Sequence, residues 1–191
     1  MTAHQAALEA LTRYFGYDSF RPGQQGIVEA LLAGRDVLGV MPTGAGKSVC
    51  YQIPAALSPG MTLVISPLIS LMRDQVDALN DLGLPAAFIN TTQTPDEQAM
   101  VFAQAAAGQI KLLYVAPERL ETGRFRDFAA RTPISLIAVD EAHCVSQWGQ
   151  DFRSSYLGIG DFIAGLPQRP PVGAFTATAT ERVRRDIVGL L

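Results

Sequence analysis

Six short apolar runs, separated by stretches with helical spacing, limit the folds open to this sequence more than any other feature. Each run is continuous rather than alternating and is rich in β-branched residues, which is typical of parallel strands covered on both faces. The runs occupy residues 36–40, 62–66, 86–90, 111–116, 134–139 and 171–177. Alternation of strands with helices implies βαβ units. The sequence therefore predicts an α/β fold, with a mostly parallel, doubly wound sheet and helices on both faces.

The spacing of apolar residues predicts helices in three of the gaps. One begins after Pro22, and a second covers residues 68–83 and stops at Gly83. A third begins at Thr94, and Glu97 three residues later completes a capping-box pattern. These helices would cover the predicted sheet.

The composition is that of one globular domain over residues 1–191. Apolar residues make up 48% and charged residues 17% of the chain, and no apolar run approaches the roughly 20 residues of a membrane span. The N-terminus does not resemble a signal peptide, and Cys50 and Cys144 are expected to be free thiols, which favours the cytoplasm. The net charge is −3, so the chain lacks the excess of basic residues that is expected of a self-sufficient nucleic-acid binder. Any polynucleotide contact is therefore expected to be local, weak or shared with another part.

The stretch VMPTGAGKS, residues 40–48, matches a phosphate-binding loop at three of its four fixed positions. Gly46, Lys47 and Ser48 fit the end of the pattern G-x-x-x-x-G-K-[ST], whereas Met41 stands where the first glycine belongs. The stretch follows a predicted strand and precedes a predicted helix, which is the context that such a loop requires. The alternative interpretation is a structural glycine turn that binds nothing.

Each member of the loop has a predicted role in ATP binding. The residues expected around the phosphates are Thr43, Gly44, Ala45, Gly46, Lys47 and Ser48. Backbone N–H groups at a helix N-terminus favour anions, and the two glycines permit close approach. Lys47 is expected to reach the phosphates as a point charge, and Ser48 to hold Mg²⁺. The chain has 13 arginines but only 2 lysines, so a lysine in this loop is informative.

A second candidate site is the stretch LIAVDEAH, residues 136–143, where a predicted strand ends in two carboxylates. Asp140 is placed to hold Mg²⁺ through water, and Glu141 to polarise the attacking water. An acidic pair after a strand is more often a helix cap, but phosphoryl transfer needs both a phosphate loop and a metal carboxylate. His143 is compatible equally with a functional role and with a plain helix start.

The motifs TGAGKS, DEAH and GAFTATAT resemble the ATPase motifs of superfamily 2 helicases. Four further stretches resemble the RecQ family of DNA helicases: FGYDSFRPGQ (15–24), SPLISLMRDQ (66–75), APERL (116–120) and DEAHCVSQWGQDFR (140–153). The resemblance covers nearly the whole chain in family order. It implies a RecA-like P-loop NTPase domain that uses ATP and Mg²⁺ to drive 3′→5′ DNA strand separation in DNA repair and recombination, at the nucleoid.

The resemblance also implies how ATP is recognised by an N-terminal segment, residues 14–24. Gln24 would read the adenine edge, with Arg21 beside it and Tyr17 stacked on the base. The alternative for Tyr17 is packing against a first helix. ATP selectivity would then depend on residues well before the phosphate loop.

A further set of residues is implied to contact DNA or to couple it to ATP. They are Ser66, Arg73, Gln75, Gln147, Trp148, Asp151, Phe152, Arg153, Thr176 and Thr178. The first three would follow the DNA backbone, the next five would form an aromatic-rich loop that senses single strands, and the threonines would link that loop to the ATP site. The alternative is that the two aromatic residues are ordinary core residues, although a Trp flanked by polar residues and glycine suits a core poorly.

The sequence departs from the family pattern at several positions. Gln150 stands where His is usual, which puts the coupling of DNA to ATP in doubt; Ser154 and Ser155 replace Pro-Glu, and Ala45 replaces a frequent Gly. A second RecA-like motor domain, which carries an arginine finger, is expected beyond Leu191. The chain alone is therefore expected to turn over ATP slowly. A cluster formed by Arg182, Arg184 and Arg185 is expected to be a solvated helix face.

Two other functions remain open from the sequence. One is a nucleotide-dependent switch or interaction module without motor activity, and the other is an RNA helicase domain, which the stretch WGQDFR disfavours. The expected partners are single-stranded or forked DNA and the second motor domain, with no membrane.

Overall fold

A six-stranded sheet runs through the centre of the molecule. In the computed structural model, which describes residues 2–191, the strands are β1 (Val37–Val40), β2 (Met61–Ile65), β3 (Ala86–Ile89), β4 (Leu112–Val115), β5 (Ile134–Val139) and β6 (Val172–Thr176). They lie in the order β1-β6-β5-β2-β4-β3, and every neighbouring pair is parallel. All six predicted strands are confirmed with small shifts at their ends, and so is the α/β class.

Helices fill the connections between the strands. They are α1 (Ala3–Phe15), α2 (Gln24–Leu32), α3 (Lys47–Leu57), α4 (Ile69–Asp81), α5 (Pro95–Ala106), α6 (Gly123–Arg131), α7 (Gly158–Ala164) and α8 (Glu181–Leu190). Three short 3₁₀ helices cover Pro117–Glu121, Ala142–Val145 and Ser154–Leu157. Within residues 2–191, no helix is both long and apolar enough to cross a bilayer.

The capping box at α5 shows how local sequence sets a helix start. Thr94 Oγ1 accepts a hydrogen bond from the Glu97 N–H, and the Glu97 carboxylate accepts one from the Thr94 N–H at 2.7 Å. Both bonds satisfy N–H groups that a helix leaves without partners. The predicted helix boundary is therefore confirmed in its detail.

The core is divided by the sheet, because successive strand residues point to opposite faces. Leu63 and Ile65 of β2 pack on one face with residues from α6, α7 and α8, while Val64 packs on the other with residues from α3 and α4. Five residues of β2 are all buried. Burial on both faces explains why the apolar runs in the sequence are continuous.

The parallel order brings the ends of three neighbouring strands together. β6 lies between β1 and β5, with Val40 opposite Thr176 and Val139 opposite Ala174. The first residue after β1 continues the ladder, since the Met41 N–H donates to the Thr176 carbonyl at 3.0 Å. The segments that follow these strands consequently meet at one edge of the sheet, where ligands of open α/β sheets bind.

Gly173 of β6 allows a close contact in this part of the core. A Cβ at Gly173 would lie 2.8 Å from the Phe175 ring, which is fully buried and packs 5.5 Å from the Tyr51 ring. We expect Gly173→Ala to lower the free energy of unfolding by about 1–3 kcal/mol through overpacking, as measured by urea denaturation.

The matched control is Gly26→Ala, in α2, where an added Cβ meets nothing within 4 Å. This change should raise stability by about 0.5–1 kcal/mol, because alanine favours helix more than glycine does. Equal effects of the two substitutions would show that the contact with Phe175 is not tight.

Candidate functional site

The loop between β1 and α3 has the backbone conformation of a phosphate cradle. Gly44 and Gly46 both have φ of 81°, in the left-handed region that favours glycine. Lys47 begins α3, so the loop leads directly into a helix N-terminus, where backbone N–H groups and the helix dipole favour anions. The Lys47 ammonium donates to the Met41 carbonyl at 3.2 Å, which holds the charge beside the loop.

Met41 explains why the loop departs from the strict phosphate-loop pattern. Its side chain is only 6% exposed and packs against Cys50, with the two sulfur atoms 3.7 Å apart. The methionine side chain therefore occupies the core beneath the loop. A residue other than glycine is tolerated because this position ends the strand and does not line the cradle.

The predicted adenine segment is hydrogen-bonded to the phosphate loop. Arg21 donates from its guanidinium to the Gly44 carbonyl at 2.8 Å, and the Gln24 amide donates to the Gly46 carbonyl at 3.0 Å. The Gln24 amide oxygen in turn accepts from the Arg21 N–H at 2.8 Å. A Cβ on Gly46 would collide with the Gln24 amide. The segment and the loop are thus built against one another.

The same contacts bear on the predicted readout of adenine. Gln24 is only 3% exposed, and its amide retains one N–H and one lone pair beyond the bonds it makes inside the protein. Tyr17 is 49% exposed, with the Arg21 guanidinium 5.9 Å from its ring centroid, so its ring is available at the surface beside the loop. Adenine readout by these residues stays a prediction.

Asp140 and Glu141 follow β5, two strands from the phosphate loop. Burial and the neighbouring Glu141 carboxylate raise the pKa of Asp140 to about 6, against a hydrogen bond from the Glu141 N–H and the charge of Lys47. Tyr156 donates to the Asp140 carbonyl at 2.8 Å and fixes the backbone there. A carboxylate such as Asp140, whose ionised form is disfavoured by burial and by a neighbouring carboxylate, suits a site for a cation.

Glu141 has a backbone conformation that is unusual for its residue type. Its φ is 49°, and among residues 2–191 it is the one non-glycine residue at positive φ. Such a conformation costs of the order of 1–3 kcal/mol and persists where the surrounding structure enforces it, often at functional sites. This backbone conformation sets the direction in which the Glu141 side chain leaves the main chain.

Metal binding by protein groups alone is not supported at this site. Within residues 2–191, no group of three or more His, Cys, Asp or Glu side chains is placed to hold a metal ion. Ser48, in the first turn of α3, and Asp140 are the side chains that could contribute, and Mg²⁺ commonly completes its shell with phosphate oxygens and water.

His143 connects the end of β5 to the end of β6. Its Nδ1 lies 2.8 Å from Thr176 Oγ1, and the Thr176 hydroxyl donates to the Thr178 carbonyl at 3.1 Å. Because the Thr176 hydroxyl donates its single proton to Thr178, it can only accept a hydrogen bond from His143. The imidazole proton is therefore on Nδ1. Nδ1 also lies 3.4 Å from the Glu141 carboxylate. His143 thus links two strand ends from within the short helix Ala142–Val145, and a functional role for it stays a prediction.

The aromatic loop, residues 147–153, lies at the surface. Trp148 is 60% exposed and Phe152 37% exposed, so the interpretation of both as core residues is wrong. The Arg153 N–H donates to the Cys144 carbonyl at 2.9 Å, and its guanidinium pairs with Asp151 at 2.9 Å. These contacts close the loop and leave its aromatic rings facing solvent.

In the segment that follows β2, one of the three residues predicted to follow the DNA backbone is buried. Ser66 is only 1% exposed, and its hydroxyl accepts from the Leu68 N–H at 3.3 Å, so it shapes the turn into α4. Because Ser66 is buried, it would act by shaping this segment, and its place in the DNA-binding or coupling set stays a prediction. Arg73 is exposed on α4 and Gln75 is half-buried there.

Residues that the sequence interpretation missed lie on α8. Arg182 is exposed as expected, but its guanidinium carbon lies 3.6 Å from the centroid of the Trp148 ring. Asp186 accepts a hydrogen bond from the Ser146 hydroxyl. The expectation of a solvated arginine face is therefore confirmed in its exposure, and the contact of Arg182 with Trp148 is an addition to it. The contacting residues are 34 and 40 positions apart, so no local pattern in the sequence signals them.

A wide cleft lies at the opposite edge of the sheet. It has a volume of about 940 Å³ and is lined by segments that precede the strands, including Ser58, Lys111, Thr132 and Arg169. Size alone would make it a candidate binding site. The phosphate loop, the carboxylate pair and the histidine all lie at the other edge, and these are the groups predicted to carry the chemistry.

Comparison with known proteins agrees with this geometry. The family model described as DEAD/DEAH box helicase matches residues 21–187. The chain is 50% identical over 182 residues to ATP-dependent DNA helicase RecQ of Haemophilus influenzae, and 47% identical over 182 residues to that of Bacillus subtilis. Each alignment covers 95% of this chain but only 29% and 31% of those relatives. The resemblance to RecQ helicases is thus confirmed, over a small part of their length.

Solved structures resemble the fold at much lower identity. A hypothetical ATP-dependent RNA helicase from Sulfolobus tokodaii superposes with a TM-score of 0.73 at 21% identity, over 98% of this chain and 54% of that one. The helicase domain of Pyrococcus furiosus Hef gives 0.69 at 22% identity, over 90% and 36%. These likenesses confirm the RecA-like helicase fold.

The tautomer of His143 can be tested by removing its partner. We expect the neutral imidazole to carry its proton on Nδ1, and we expect Thr176→Val to lower the Nδ1–H population because the acceptor is lost. Long-range ¹H–¹⁵N spectra at alkaline pH report the tautomer directly, and the chain has only 2 histidines, so His4→Ala completes the assignment.

Thr178→Val is the matched control, because His143 is linked to Thr178 only through the backbone carbonyl of that residue. It should leave the tautomer unchanged. A wild-type imidazole protonated mainly on Nε2 would contradict the hydrogen-bond assignment.

Proposed function

The chain belongs to the DEAD/DEAH box helicase family, and on that premise we propose that it is the ATP-binding motor domain of a RecQ-type 3′→5′ DNA helicase. The observation that carries the proposal is the meeting of three segments at the carboxyl ends of β1, β5 and β6. They are the phosphate loop, the Asp140–Glu141 pair and the Thr176 segment. Phosphoryl transfer needs a phosphate cradle and a metal carboxylate, and a motor also needs a link to movement; these segments would supply one each.

The residues of the site divide the work of ATP hydrolysis among them. The N–H groups of the phosphate loop hold the phosphates, and Lys47 balances their negative charge. Ser48 and Asp140 hold Mg²⁺, which when bound neutralises charge on the phosphates. The carboxylate of Glu141 accepts a hydrogen bond from the attacking water and orients it. Its fixed backbone conformation reduces the reorganisation needed at the moment of reaction.

The adenine segment gives the site its preference for ATP. Tyr17 stacks on the base and Gln24 reads its edge, while the contact of Arg21 with Gly44 keeps the segment against the phosphate loop. The adenine segment would then bind the base and the phosphate loop the phosphates, and these two segments are hydrogen-bonded to each other.

DNA contact is proposed at the aromatic loop and along the exposed side of α4. The rings of Trp148 and Phe152 are exposed, and bases stack on such rings with little regard to sequence. With a net charge of −3, binding to single strands or forks should be weak and should fade with salt. The relatives named above are DNA helicases, which favours DNA over RNA. We also propose that the domain acts together with a second RecA-like domain, at the nucleoid, in DNA repair and recombination.

ATP binding is tested by replacing each of the two lysines in the chain. Lys47→Ala should lower the affinity for magnesium–ATP by roughly tenfold to a hundredfold, because a charge-assisted contact contributes about 1.5–3 kcal/mol. Isothermal titration calorimetry measures this directly. Lys111→Ala is the control, because that lysine donates to the Ser58 carbonyl in the cleft at the far edge of the sheet. Equal affinities for Lys47→Ala and wild type would refute the phosphate-loop assignment.

Base selectivity is tested at two adjacent glutamines. Gln24→Ala should reduce the preference for ATP over GTP, and it should weaken binding of both nucleotides because the bond to Gly46 is lost. Gln25→Ala should change neither, since that side chain is exposed and bonds to Glu29. Competition binding with the two nucleotides gives the ratio. An unchanged ratio in Gln24→Ala would remove this residue from the adenine site.

A further inference from the structure

One face of the Trp148 ring is covered by an arginine from α8, while the residue stays 60% exposed. The Arg182 guanidinium carbon lies 3.6 Å from the ring centroid, which is a stacking distance. A base cannot stack on a face that is already in van der Waals contact. The exposure that remains therefore belongs mainly to the opposite face and the ring edges.

The backbone of Trp148 is held by the same helix. The Trp148 N–H donates to Ser146 Oγ at 3.1 Å, and the Ser146 hydroxyl donates to the Asp186 carboxylate. Ser146 is only 1% exposed, so this pair of bonds is shielded from competition by water. Asp186 thus fixes the main chain at Trp148, and Arg182 fixes the ring.

The helix that supplies both residues is firmly seated. Val183 and Ile187 are buried at 3% and 1% exposure, and Thr180 caps the helix by accepting from the Val183 N–H. Arg182 and Asp186 are four residues apart, so they lie on one face of α8. A rigid helix therefore presents both groups to the start of the aromatic loop.

We propose that Arg182 and Asp186 are positioning residues that hold Trp148 as a ready-made platform, with one ring face backed by Arg182 and the other presented to a base of single-stranded DNA. Fixing the ring in advance lowers the entropy lost when a base stacks on it. The positioning of Trp148 stands on contacts within the chain, and only its use for DNA rests on the proposed function.

For substitution of Asp186, the proposed positioning and simple electrostatics predict opposite changes in DNA affinity. Removing a negative charge from a DNA-binding surface should tighten binding if charge alone decides. Platform positioning requires the opposite, because Asp186→Ala leaves the Ser146 hydroxyl without its acceptor. Asp186→Asn removes the charge but keeps an oxygen that can accept from Ser146, so it should restore binding.

Two measurements test the proposal on the whole chain. Trp148 is the single tryptophan, so acrylamide quenching of intrinsic fluorescence reports its environment directly. Quenching should rise by about 1.5- to 2-fold in Arg182→Lys and Asp186→Ala, as backing of the ring is lost. It should stay at the wild-type value in Asp186→Asn and in Arg185→Lys, a conservative change at an exposed arginine of the same helix. Circular dichroism confirms that each variant is folded.

The second measurement is fluorescence anisotropy of a labelled oligothymidine at low salt. Affinity should fall about two- to tenfold in Arg182→Lys and Asp186→Ala, and stay within about twofold of wild type in Asp186→Asn and Arg185→Lys. Unchanged quenching in Arg182→Lys and Asp186→Ala, or DNA binding by Asp186→Ala as tight as wild type, would overturn the proposal. If the wild-type chain binds no oligothymidine, the proposed DNA function is wrong, and so is the use of Trp148 as a platform for bases. The quenching series then still decides whether α8 positions the ring.

Discussion

The parallel pairing of β6 between β1 and β5 is the constraint on which the rest of the site depends. Backbone hydrogen bonds along these strands, continued by the bond from Met41 to the Thr176 carbonyl, fix where each strand ends. The phosphate loop, Asp140 and Thr176 are therefore brought to one edge by backbone pairing, to which side-chain contacts such as that of His143 with Thr176 are added. Apolar burial on both faces of the sheet makes this pairing rigid.

Around that edge, the protein uses short hydrogen-bonded links to join parts with different tasks. Gln24 and Arg21 tie the N-terminal segment to the phosphate loop. His143 and Thr176 tie the end of β5 to the end of β6, and Asp186 ties α8 to the aromatic loop. The phosphate loop, the strand ends and the aromatic loop are thereby each held by a few bonds, most of them partly buried.

The sequence predicts what is local and misses what is not. Strand positions, the capping box of α5 and the glycine loop between β1 and α3 follow from residues that are neighbours in the chain, and the structure shows each of them. The insertion of β6 between β1 and β5, and the stacking of Arg182 on Trp148, join residues far apart in sequence. The burial of Ser66 could not be predicted, because its motif indicates a segment but not which side chains of the segment are buried.

The central claim is that one edge of the sheet binds nucleotide through the phosphate loop and the carboxylate pair. An amide ¹H–¹⁵N spectrum, recorded while magnesium and a non-hydrolysable ATP analogue are added, tests it most directly. We predict shifts concentrated at residues 43–48, at Asp140 and Glu141, and at Thr176. Shifts concentrated at residues 58–61 and 131–135, which line the cleft at the opposite edge, with the phosphate loop unchanged, would contradict the claim.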